Sequence, residues 1–293
     1  MSGLSGVITA LVTPFNREGE VDLAALRRLI DFQVKGGVDG LFLCGTAGSG
    51  VIMRPDQREL VFREAADYAG GRVRLLAHVG AASTEESVML AEAAFRTEVD
   101  AVGAVPPYFL SPDAESIIGH FKAIAGAAQL PTYVYNIPKS AVNAVTPEMM
   151  LKLAEVPNIV GVKDSSRDFI NLLEYLRVLP ENFTVICGTD SYIYPAAVMG
   201  CKGCITGYAN AFPDVYSRFW KAISEGRHKE ARKMQFAINV LRAALQKPPI
   251  APHYEALRLR GVDAGVPRPP LRGMRPEERE ALRKRLTELG VLG

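Results

Sequence analysis

A lysine closes an otherwise apolar run, Asn158-Ile-Val-Gly-Val-Lys163. Side chains alternate along an extended strand, so Ile159, Gly161 and Lys163 share a face, and the glycine leaves space for a long side chain beside it. An ammonium held there is desolvated; its pKa falls, and the neutral amine becomes able to attack a carbonyl. The competing reading has Lys163 merely end the strand and pair with Asp164. A second run, Thr132-Tyr-Val-Tyr-Asn136, sets Tyr133 and Tyr135 on one face and finishes beside a phenol. Amine attack on a carbonyl needs a group that moves protons on and off the carbinolamine, and a positioned tyrosine can do so. Taken alone, Tyr135 reads as a core tyrosine with a bonded hydroxyl.

Two further segments have the composition of a binding loop. Gly45-Thr-Ala-Gly-Ser-Gly50 lets main-chain N–H groups converge on an anion and adds the Thr46 hydroxyl. No Lys-Ser or Lys-Thr follows and the spacing is not that of a dinucleotide loop, so a carboxylate fits better than a phosphate; a tight turn without ligand is the alternative. Cys187-Gly-Thr-Asp190 offers close approach at Gly188, and Thr189 and Asp190 could hydrogen-bond a polyol, although a helix cap is the preferred reading of Asp190. Cys201 and Cys204 have C-x-x-C spacing, but no second pair or neighbouring histidine completes a metal set. The four cysteines are expected as free thiols, and no metal is expected.

The elements that must position these residues follow from hydrophobic periodicity. Eight short runs read as strands: 6–12, 38–44, 73–79, 101–105, 132–136, 159–163, 184–187 and 203–206. Amphipathic patterns between them read as helices at 23–35, 57–68, 85–95, 115–127 and 147–155. Asp22, Thr84, Thr146 and Asp168 stand where N-capping side chains belong. Alternating strands and helices over 293 residues predict an α/β fold, a (β/α)8 barrel across 1–225 with an open doubly wound sheet as the alternative, and a helical extension over 226–293. Reacting groups in such a barrel sit at the carboxyl ends of the strands, where the four segments above fall. A formal charge of +2 without a basic stripe argues against nucleic acid, and no apolar run reaches the length of a membrane span. A cytoplasmic protein without nucleic-acid or membrane partners is expected.

The sets Gly45-Thr46-Ala47-Gly48, Tyr135-Asn136-Ile137-Pro138 and Gly161-Val162-Lys163-Asp164, with Thr13-Pro14-Phe15 and the Pro267 to Pro270 turn, resemble the dihydrodipicolinate synthase and N-acetylneuraminate lyase family over nearly the whole chain. The resemblance implies a homotetramer in which Lys163 forms a Schiff base, Tyr135 relays protons and Thr46 continues the relay. No cofactor is expected beyond that covalent imine. Ala47 occupies the place of a second threonine and leaves its N–H for the keto acid's carboxylate; Gly188, Ile205, Asp190 and Ser140 complete the expected substrate-binding set. Ser140 stands where the synthases carry a carboxylate-binding arginine, Phe109 where a tyrosine is expected, and Ser49 where a glutamate is frequent. These departures favour a pyruvate-dependent aldolase or lyase acting on a hydroxylated 2-keto acid, a 2-keto-3-deoxy sugar acid in particular. A keto-acid dehydratase, a 4-hydroxy-tetrahydrodipicolinate synthase and an idle keto-acid-binding barrel are the alternatives.

Overall fold

Each predicted strand forms and pairs in parallel with its neighbours in sequence: β1 (Gly6–Ala10), β2 (Gly40–Leu43), β3 (Arg74–His78), β4 (Ala101–Ala104), β5 (Thr132–Asn136), β6 (Ile159–Asp164), β7 (Thr184–Cys187) and β8 (Gly203–Thr206). β8 closes back on β1, Gly6 lying opposite Gly203, so the sheet is a complete barrel. The computed structural model describes residues 3–292. Closure leaves no unpaired edge, so the main-chain groups of every strand are satisfied within the barrel. Several strands are shorter than the apolar runs that encode them. β2, for example, stops before Cys44, whose φ of 53° is left-handed and turns the chain into the glycine loop.

Around the barrel run α1 (Leu23–Lys35), α2 (Pro55–Ala69), α3 (Thr84–Arg96), α4 (Ala114–Ala128), the single turn α5 (Pro138–Ala141), α6 (Pro147–Ala154), α7 (Phe169–Val178), α8 (Ile193–Val198) and α9 (Pro213–Ser224). Asp22, Thr146 and Asp168 cap α1, α6 and α7 through their side chains. Thr84 does not cap α3: Ser83 does, accepting from the Glu86 N–H, while the Thr84 hydroxyl meets His120 Nδ1 at 3.0 Å. Serine ranks above threonine as a cap, and the Thr84 hydroxyl is engaged by His120 instead.

Strand alternation produces two cores. One lies between sheet and helices; the other fills the barrel with Ile8, Phe42, Leu76, Tyr133, Tyr135, Ile186 and Ile205. Gly161 has a different role from the one its sequence position suggests. A Cβ there would sit 2.4 Å from the Tyr133 ring and 2.6 Å from the Thr184 carbonyl oxygen, so the missing side chain makes room for Tyr133, not for Lys163.

The extension comprises α10 (His228–Ala244), α11 (Ala251–Leu259) and α12 (Pro276–Glu288). It is fastened to the barrel mouth. Gln235 Nε2 donates to the Asp190 carbonyl at 2.7 Å, Tyr254 donates to the Thr13 carbonyl at 2.7 Å, and Phe15 bridges Val266. No helix of the described residues is long and apolar enough to cross a membrane.

Gly161→Ala should lower unfolding stability by about 1–3 kcal/mol in urea titration, because the added methyl meets a ring and a fixed carbonyl at once. A loss below about 0.5 kcal/mol would show that Tyr133 moves aside without cost.

Candidate active site

β6 carries Lys163 to the mouth of the barrel, and β5 sets Tyr135 directly beside it in register. Lys163 is 4% exposed. Its Nζ lies 3.7 Å from the centre of the Tyr135 ring and 4.7 Å from that of Phe42. Burial pushes the amine pKa down; Tyr135 and Asp190 oppose the shift but do not cancel it. No ion pair forms with Asp164. That carboxylate lies in the barrel wall, accepting from Asn136 Nδ2 at 2.8 Å, the Ser166 hydroxyl at 2.8 Å and Asn171 Nδ2 at 3.3 Å. The strand's alternation separates the two neighbours, so among the described residues the amine has no ion-pair partner to offset its burial.

The Tyr135 hydroxyl lies 3.2 Å from Thr46 Oγ1, which links β5 to the loop after β2. Either oxygen can donate, so a proton can pass in either direction. The loop's glycines serve packing more than anion binding. A Cβ on Gly48 would meet the Leu11 carbonyl oxygen at 2.8 Å, and one on Gly50 the Cys44 carbonyl oxygen at 1.8 Å. The Ser49 and Gly50 N–H groups donate within the loop, to Thr46 and Gly45 carbonyls at 3.2 and 3.3 Å. Of this loop, only Thr46 and Ala47 border the cavity, so the expected three-glycine cradle is reduced to these two residues.

All eight residues singled out from sequence, Lys163, Tyr135, Thr46, Ala47, Gly188, Ile205, Asp190 and Ser140, line one cavity of about 350 Å³ at the carboxyl ends of the strands. Gly188 is favoured sterically: a Cβ would lie 2.8 Å from the Asp164 carbonyl oxygen, which cannot turn away. The helix-cap reading of Asp190 is corrected. The residue opens a short 3₁₀ turn without capping it, and its buried carboxylate accepts from the Thr206 and Tyr216 hydroxyls. Burial raises its pKa, and those two donors work against the rise. Phe109 is outside the cavity and 88% exposed, in a left-handed conformation at φ 78°. The four cysteines are buried free thiols, and burial pushes those of Cys44 and Cys201 up to about 12.

Sequence reading missed the outer wall: Ser165, Arg167, Tyr208, Arg242 and His253. One signal was present. Arg242 interrupts the apolar stretch Val240-Leu241-Arg242-Ala243-Ala244-Leu245, an odd place for a solvated guanidinium. Nothing in a linear sequence marks His253, whose imidazole is buried against Tyr208 with ring centres 5.2 Å apart and is held neutral, its pKa lowered by burial to about 4.

Known proteins share this arrangement from end to end. A DapA-like lyase of Halobacterium salinarum is 36% identical over 291 residues, covering 99% of this chain and 95% of the relative. The crystal structure of dihydrodipicolinate synthase from Aquifex aeolicus superposes with a TM-score of 0.93 at 33% identity, covering 99% of both chains. A catalytic-lysine mutant of the Ruminococcus gnavus sialic acid aldolase superposes with a TM-score of 0.93 at 26% identity, covering 99% of this chain and 98% of that one. With residues 3–289 matching the model of the Dihydrodipicolinate synthetase family, the chain belongs to that family and is a lyase of its pyruvate-dependent, class I aldolase kind.

Proposed function

We propose that the protein is a Schiff-base carbon–carbon lyase that cleaves a 2-keto-3-deoxy sugar acid to pyruvate and an aldehyde, with Lys163 as nucleophile. The observation that carries this reading is the buried Lys163 amine, without a counter-ion, against the Tyr135 ring. The neutral amine adds to the C2 carbonyl, and loss of water leaves a protonated imine. Tyr135, left as phenolate by giving its proton to the departing water, takes the proton of the C4 hydroxyl as the C3–C4 bond breaks; the electron pair of that bond is drawn into the imine to give the enamine, and the aldehyde departs. Protonation at C3 and addition of water then release pyruvate and the amine. Thr46 passes protons between Tyr135 and the cavity mouth, and the Ala47 N–H holds the C1 carboxylate.

Dehydration through the same imine, by loss of water in place of an aldehyde, is the nearest alternative and uses the same first half. Condensation of pyruvate with aspartate semialdehyde is favoured by the synthase among the relatives, but Ser140 cannot supply a planar pair of donors to the second substrate's carboxylate. The proposed homotetramer has a surface available to it: Phe109, Leu110 and Val142 expose apolar side chains, and Asn143 Nδ2 ties their two loops together through the Pro107 and Leu110 carbonyls at 2.7 Å each.

Incubation with pyruvate and borohydride should add one reduced pyruvoyl unit to Lys163, with a pH profile whose inflection lies below the ordinary lysine range. Label on another lysine, or unchanged labelling of Lys163→Ala, would end the assignment. Tyr135→Phe should still form the imine with pyruvate while kcat falls about 100-fold or more; near-native turnover would reduce Tyr135 to a packing residue. Measured as kcat/KM, cleavage of 2-keto-3-deoxy sugar acids should exceed the semialdehyde condensation by about 30-fold or more. A clear win for condensation would transfer the protein to the synthases.

A further inference from the structure

The inner half of the cavity is accounted for by the keto-acid end of a substrate. Its outer half is lined by three cations from three different elements: Lys139 on α5, Arg167 after β6 and Arg242 on α10. Among the described residues none of the three is in an ion pair, although most arginines on this surface are. Arg242 and Arg167 both lie close enough to Tyr208 to act on its phenol. Asp190, the one carboxylate on the cavity wall, is engaged by Thr206 and Tyr216. Arg242 Nε is buried without a partner, and so are Thr189 Oγ1 and His253 Nδ1 in the same wall.

A buried guanidinium nitrogen without an acceptor is costly. Arg167 is also held in a left-handed conformation at φ 65°, which a non-glycine residue adopts only where the surroundings impose it. An anion would satisfy the cations. Pyruvate alone has no second anionic end to offer them.

Resting on the lyase reading above, we propose that Arg242, supported by Lys139 and Arg167, selects a substrate with a second carboxylate: the 2-keto-3-deoxy acid is a hydroxylated dicarboxylate. Its keto end meets Lys163, its hydroxyls face Thr189 and His253, and its far carboxylate lies against Arg242. The aldehyde released then carries that carboxylate. A six-carbon chain of this kind fits a cavity of about 350 Å³.

The test uses Lys163→Ala, which cannot turn substrate over, so binding is read independently of the reaction. Calorimetry compares a six-carbon 2-keto-3-deoxy acid ending in a hydroxymethyl group with its counterpart ending in a carboxylate. The dicarboxylate should bind about 10- to 100-fold more tightly, with the margin shrinking as salt rises. Adding Arg242→Gln should reduce the ratio to near one while the weaker ligand's affinity changes little. Equal binding of the two acids, or a ratio that survives Arg242→Gln, overturns the proposal. Circular dichroism checks the double variant's fold; should it fail, Lys139→Ala, an exposed position, takes its place and should lower the ratio about threefold, an unchanged ratio counting against the proposal. Turnover of the same two acids by the unsubstituted protein decides the lyase reading separately: if the dicarboxylate binds selectively but is not cleaved, the anion site stands and the reaction assignment falls.

Discussion

A primary amine shut inside a barrel has to be kept from finding a carboxylate, and much of this structure follows from that requirement. One residue along, Asp164 would form an ion pair with Lys163 if the strand ended there. Instead β6 continues through Asp164, alternation turns its side chain into the wall, and Asn136, Ser166 and Asn171 hold it there. Desolvation is then opposed only by the Tyr135 phenol and the more distant Asp190. A full salt bridge at this depth would favour the ammonium far more strongly and leave no nucleophile.

The same hydrogen bonds that restrain Asp164 also build the neighbouring loops. Asn136 donates to Asp164 and accepts the Val145 N–H at 3.0 Å, which fixes the chain after α5. Asn210 does the equivalent on the other side: its amide donates to the Ala10 and Gly207 carbonyls and its oxygen accepts the Val12 N–H. Buried, hydrogen-bonded amides make strand ends into rigid supports for the mutual geometry of Lys163, Tyr135 and Thr46.

Placement of the helical extension gives the site its outer half. α10 is tied to the Asp190 turn through Gln235, and that attachment brings Arg242 over the cavity. On the proposed reading the barrel supplies residues for attack on a carbonyl, while the extension supplies charge and a neutral histidine for whatever the carbonyl is attached to. The helical extension is separate in the sequence pattern, but Arg242, Ile250 and His253 line the same cavity as the barrel residues.

Sequence alone determined the eight strands, the barrel and three of four helix caps, because each rests on local periodicity or on a short motif with its own geometry; the eight residues that share the cavity needed the family resemblance beside those motifs. What a side chain meets across the fold was beyond it. Gly161 gives way to Tyr133 and not to Lys163; Gly48 and Gly50 admit carbonyls from Leu11 and Cys44 where an anion was expected; Ser83 displaces Thr84 as a cap because His120 is near. Arg242 and His253, nearly eighty and ninety residues beyond Lys163, enter the cavity only when α10 and α11 fold back on the barrel. Such contacts depend on distances between segments that no spacing along the chain encodes, so the tertiary structure alone decided them.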